Sequence, residues 1–184
     1  MNPQLAWYVA RSAGIVSWVL LSASAVWGIA LSTRLLASRP SPAWLLDLHR
    51  LLGGLACTFV AVHVGALVAD GFVTFGPTEV LVPLASRWHP VAVAWGVVGL
   101  YLLVAVELTS LLKRRLPARW WRRVHRLSFP LWLLATVHGL SAGTDAGNPA
   151  VQWSFLVLAT IGLFVGIVRA LSPRPDRKRP AIAP

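Results

Sequence analysis

Acidic side chains and cysteine are nearly missing from this 184-residue chain, which has six Asp and Glu together and a single cysteine, Cys57. One thiol excludes a disulfide within the chain. It also excludes an iron–sulfur or zinc site held only by cysteines of one copy. Charge of any sign is scarce, at 12% of residues, against roughly 25% in a soluble domain, while 57% are hydrophobic. These proportions define an integral membrane protein, and one domain accounts for its length. Basic residues are the exception: 17 Lys and Arg bring the net charge to +11. In a membrane chain such an excess is first a topology signal, so no nucleic-acid partner is expected. Only two of the 17 are Lys. With the wealth of Ala, Val, Leu and Trp, that usage suggests a GC-rich bacterial genome and the bacterial plasma (inner) membrane.

What is present is apolar sequence in long stretches. Five of them, residues 7–31, 45–69, 91–112, 124–140 and 151–171, approach the length needed to cross a hydrocarbon core of about 30 Å. The expected fold is therefore all-α, a bundle of five transmembrane helices. The first stretch is expected to be a span and not a cleavable signal, since no basic region precedes it. The fourth is the shortest. Basic residues cluster on one side of such a chain: Arg34, Arg39 and Arg50, then Lys113 to Arg126, then Arg169 to Arg179. By the positive-inside rule the N-terminus lies outside and the C-terminus in the cytoplasm. The segments 38–42, 71–90, 116–120 and 141–149 carry the Pro, Gly, Ser and Asp of connections. Residues 1–171 read as the membrane domain and 172–184 as a basic, disordered cytoplasmic tail. No internal sequence repeat is evident, although the second and fourth stretches both carry His-Arg near their cytoplasmic ends.

Histidine is the residue to explain, because imidazole is costly in hydrocarbon and is the commonest metal ligand. His49 and His63 lie fourteen residues apart in the second stretch, and His125 and His138 thirteen apart in the fourth. A rise of 1.5 Å per residue separates the members of each pair by about 20 Å along a helix. Topology then groups His49 with His125 at the cytoplasmic side and His63 with His138 at the outer side. Each group supplies two facing imidazoles, the axial set of a b-type haem. Zinc would need further ligands, whereas copper stays open on ligand type. Fourteen residues keep His49 and His63 on one face to within about 40°, but thirteen leave His125 and His138 about 140° apart on an ideal helix. Pro130 lies between the latter two, so the fourth helix is expected to be kinked or rewound. Glycines 53, 54, 65 and 139 are expected to give a flat cofactor room at the helix backbones.

The segments HRLLGGLACTFVAVH and HRLSFPLWLLATVH, with ARSAG near the start and HGLSAGTD after the fourth stretch, resemble the ferric reductase-like transmembrane domain family. That family includes ferric reductases, NADPH oxidases and the haem subunit of the bacterial methionine sulfoxide reductase system. The likeness covers about residues 8–171. It implies two haems b, one held by His49 and His125 and the other by His63 and His138. The reductases and oxidases carry a flavin and NADPH domain after these helices. The present sequence has no Rossmann-type glycine fingerprint, so no domain of this chain is expected to bind flavin. A separate flavoprotein, a quinol or a periplasmic redox partner is expected instead.

Arg50, Arg122, Arg123 and Arg126 are placed to meet the propionates of an inner haem, and Arg11 with Ser12 those of an outer one. Topology and headgroup contact explain the same arginines equally simply. Trp132 and Phe59 lie at mid-membrane, where packing is the plainer role and bridging between haems the alternative. Glu107 reads as a snorkelling or paired carboxylate, His89 as a surface residue, Asp145 as a turn former and Cys57 as packing. The expected function is a dihaem cytochrome passing electrons outward to ferric iron, oxygen or a periplasmic partner, as a membrane oxidoreductase or its electron-transfer subunit. A haem-containing anchor subunit of another redox enzyme, or a haem or metal transporter, are the alternatives.

Overall fold

The computed structural model describes residues 4–33, 43–71 and 75–171, which contain helices and no strand. The expected tail at 172–184, and the connection bearing Arg34 and Arg39, lie outside the described residues. In chain order the helices are α1 (Leu5–Thr33), α2 (Ala43–Ala69), α3 (Pro77–Leu81), α4 (Pro90–Leu111), α5 (Ala118–His125), α6 (Ser128–Ala142) and α7 (Pro149–Leu171). A short 3-10 turn, Thr144–Gly147, separates α6 from α7. Three of these helices begin at a proline, whose fixed φ suits a first turn and whose missing N–H is no loss there.

Four helices, α1, α2, α4 and α7, are long and apolar enough to cross a membrane. Their outward faces are built for lipid. Only 11% of the most apolar window of α2, and of α7, is buried inside the protein. Leu111, Phe164 and Leu171 expose 72%, 66% and 77% of their surface. Apolar side chains turned outward on this scale need hydrocarbon as solvent. The chain is a multi-pass membrane protein.

The fourth expected span, 124–140, is where the fold departs from the expectation. It is divided: α5 ends at His125, residues 126 and 127 form a turn, and α6 restarts at Ser128. At fifteen residues α6 is about 22 Å long, short of a full hydrocarbon core. Hydropathy joined two pieces of different character, because α5 (ARWWRRVH) is basic and strongly amphipathic while α6 is apolar. Pro130 sits in the first turn of α6 and cannot return a hydrogen bond to Arg126. The Arg126 carbonyl instead accepts from Phe129 N at 3.3 Å, and Leu127 N donates to Val124 O at 2.8 Å. The ladder tightens through the break, and the proline marks a restart more than a bend.

Packing pairs the helices. α1 lies along α2, α4 along α6, and α1 also meets α6 and α7. A reciprocal clasp ties the two pairs together at mid-bundle. Trp18 Nε1 donates to Thr136 Oγ1 and Trp132 Nε1 to Ser22 Oγ, each at 2.9 Å. Each hydroxyl then donates to the carbonyl of the tryptophan four residues back on its own helix, both at 2.8 Å. All four residues are buried, which satisfies two indoles that hydrocarbon would leave orphaned. Trp18 also stacks on Phe155 of α7, with ring centroids 3.8 Å apart. Gly162 and Gly166 of α7 receive the rings of Trp132 and Phe129, since a Cβ at either would come within 2.8 Å of the facing ring. Small residues four apart give α7 a groove into which aromatics of α6 fit.

Candidate functional site

The four membrane-depth histidines meet in the two pairs expected. The rings of His49 and His125 have centroids 6.0 Å apart and cross at 78°. Those of His63 and His138 are 6.4 Å apart and cross at 77°. Two collinear imidazole–metal bonds of about 2 Å each, plus about 1.1 Å from each bonding nitrogen to its ring centre, would set the centroids about 6.2 Å apart. Both gaps therefore have the width of one metal ion held between two imidazoles. Among the described residues no group of three or more His, Cys, Asp or Glu could hold a metal ion, and the histidines come together in twos. A two-ligand site suits a metal whose remaining positions are filled by its own macrocycle.

The rings are fixed from behind. His63 Nδ1 donates to Ala10 O at 2.7 Å, His138 Nδ1 to Ala92 O at 2.8 Å, and His49 Nδ1 to Ser24 O at 3.1 Å. Donation from Nδ1 to a backbone carbonyl selects the tautomer whose Nε2 carries a free lone pair. Four residues beyond each carbonyl stands a glycine: Gly14, Gly96 and Gly28. A Cβ at Gly14 would lie 3.0 Å from His63 Nδ1, one at Gly28 3.0 Å from His49 Cε1, and one at Gly96 2.8 Å from His138 Cε1. The missing side chains let each ring lie against the neighbouring helix.

These glycines were not among those expected to make room. Glycines 53, 54 and 65 of α2 have nothing within 4 Å of an added Cβ, and Gly139 is closed by Phe155 at 2.7 Å. A signal for the cradle of Gly14 and Gly28 was present in the sequence. Gly14 and Gly28 on α1 are fourteen apart, the interval of His49 and His63, as an antiparallel partner requires.

His125 is held differently. It ends α5, its ring stacks on Trp121 with centroids 5.1 Å apart, and its Nδ1 lies 3.4 Å from Ser110 Oγ. The break after His125 reconciles the thirteen-residue interval with a shared face. Trp121 Nε1 is buried with no hydrogen-bond partner among the described residues, an unspent donor beside the inner pair. Lys113 lies over the Trp121 ring at 4.0 Å.

The expected arginines split. Arg50 is exposed and paired with Asp47 at 3.0 Å, and exposed Arg126 donates from Nε to Arg122 O at 3.2 Å. Arg123 lies over the Trp120 ring at 5.4 Å. Arg11 pairs with Asp145, its Nε donating to Oδ2 at 2.9 Å and its Nη2 to Oδ1. Asp145 also lies in the 3-10 turn, so it is both a turn residue and the counter-ion of Arg11. His89 is exposed at the start of α4, with φ at 42°, beside the Trp88 ring. Arg11 and Asp145 line one cavity together with His63, His138, Gly14 and Gly96.

An all-helical multi-pass bundle that brings half-buried imidazoles together in two pairs has the construction of a membrane redox domain. The chain belongs to the family described as ferric reductase like transmembrane component, whose profile matches residues 12–136. Transmembrane domains of that family generally bind haem. The matched region contains His49, His63 and His125, and ends two residues before His138. No curated protein and no solved structure matches the chain.

Proposed function

We propose that this chain is a five-span b-type cytochrome that holds two haems and moves electrons across a bacterial plasma membrane. The observation that carries the reading is the pair of histidine gaps, 6.0 and 6.4 Å between ring centroids, with Nδ1 anchored behind three of the four rings. His49 and His125 would hold the inner haem, and His63 and His138 the outer one. Each haem, when bound, supplies a one-electron iron couple. The chain's part would be to supply two imidazoles to each haem, His49 with His125 and His63 with His138, a ligand set that favours electron passage over oxygen activation.

Arg50 and Arg126 flank the inner pair and would neutralise its propionates, with the Trp121 indole N–H as a further donor. Arg11 would do the same outside with the donors it does not spend on Asp145. Between the levels, the buried Trp18–Trp132 clasp keeps water out of the path. The N-terminus lies outside and the C-terminus inside, so electrons enter at His49 and His125 and leave near the Arg11–Asp145 mouth. The donor is a separate flavoprotein or a quinol, and the acceptor is ferric iron, oxygen or a periplasmic partner.

A dithionite-reduced visible spectrum of the purified protein tests the reading. Sharp, low-spin b-type bands support it. A high-spin spectrum from loosely held haem would favour a transport role, and absence of haem even after reconstitution would end the proposal.

A further inference from the structure

The histidine cradle is complete at three rings and altered at His125, and its fourteen-residue interval recurs on two helices. On α1 the carbonyl and glycine of one copy are Ala10 and Gly14, and those of the next are Ser24 and Gly28. On α4 one copy is Ala92 and Gly96. Fourteen residues further on stand Val106 and Ser110, and the Ser110 hydroxyl reaches the His125 ring. Aligning the copies isolates two serines, both on the inner pair. Ser24 replaces the Ala of the outer copy, and Ser110 replaces the Gly.

Both hydroxyls reach the ring nitrogen. Ser24 Oγ is 3.3 Å from His49 Nδ1, where it competes with the Ser24 carbonyl at 3.1 Å. Ser110 Oγ donates its proton to Val106 O at 2.7 Å, so toward His125 Nδ1, 3.4 Å away, it can only accept. The outer rings have carbonyls alone, at 2.7 and 2.8 Å. Hydrogen bonds of 3.1 to 3.4 Å are weaker than those at 2.7 and 2.8 Å, and a hydroxyl is a poorer acceptor than a carbonyl.

We propose that Ser24 and Ser110 are positioning residues that loosen the Nδ1 anchors of His49 and His125, and so raise the reduction potential of the inner haem. The inference rests on the two-haem reading above. Its physical basis is the second shell: a strong acceptor on Nδ1 makes imidazole a more basic ligand and favours oxidised iron, and a weak one removes that bias. Ser110→Gly recreates the Gly96 cradle and opens the Val106 carbonyl to the ring. Ser24→Ala recreates the Ala10 cradle. Ser110→Ala deletes the acceptor while its Cβ keeps the ring off that carbonyl, and Ser110→Thr keeps the hydroxyl.

The test is a spectroelectrochemical titration of the purified holoprotein, with the inner wave identified as the one lost in His125→Ala. Ser110→Gly and Ser24→Ala should lower the inner midpoint potential, Ser110→Ala should raise it, and Ser110→Thr should leave it near the parent. The outer wave should stay fixed in all four. A general packing defect would not give opposite signs at one position. If the parent and variants hold two haems and the inner wave does not move, or both waves move together, this inference fails and the two-haem reading stands. If the parent holds no haem, both fail.

Discussion

At the scale of single residues, the site is made as much by what is absent as by the histidines. Gly14, Gly28 and Gly96 contribute only the lack of a side chain, and the imidazoles occupy that space. We therefore expect Gly96→Val to displace His138, whose Cε1 would lie 2.8 Å from the new Cβ. Haem quantitation should then fall from two per chain to one, with the inner haem kept. Loss of the groups that orient a metal ligand commonly costs about 10- to 100-fold in metal affinity, enough to empty the site during purification. The donors beside the inner pair allow a second prediction. Trp121→Phe preserves the ring that stacks on His125 but removes the indole N–H that has no partner among the described residues. It should weaken retention of the inner haem, read as a faster transfer of haem to apomyoglobin, and leave the outer haem unaffected.

At the scale of elements, the clasp between α1 and α6 is what sets the two histidine hairpins against each other. Ser22→Ala or Thr136→Val would leave a buried indole N–H unpaired, and each should destabilise the fold by about 1 to 3 kcal/mol. Thermal unfolding in detergent measures this, and an unchanged midpoint in both variants would show that the clasp is dispensable. The helices α1, α2, α4 and α7 were legible in the sequence because uninterrupted apolar runs of this length have few other uses. The histidine pairing was legible too, since spacing and charge topology together allow only one grouping. The division of the fourth span was not legible. Hydropathy averages over the turn at Arg126 and Leu127, and Pro130 signals a defect without saying on which side the helix resumes. The glycine cradle was hidden for another reason. Glycine in a membrane helix has several roles, and only the facing ring shows which one applies.

At the scale of the whole molecule, the two hairpins α1–α2 and α4–α6 repeat one construction without a shared sequence repeat: a carbonyl, a small residue four positions on, and an imidazole from the antiparallel neighbour. That repetition places the two histidine pairs at two levels of one bundle. The proposed topology predicts that, in a Cys57→Ser background, a cysteine at Asn148 reacts with an impermeant maleimide on intact cells. One at Arg115 should react only after the membrane is opened. The central claim is that each level holds its own haem. The most direct measurement is the haem-to-protein ratio of His49→Ala and His63→Ala beside the parent. The account predicts two haems in the parent and one in each variant, the remaining haem differing in midpoint potential between the two variants. A single haem in the parent, or loss of the same haem in both variants, would contradict it.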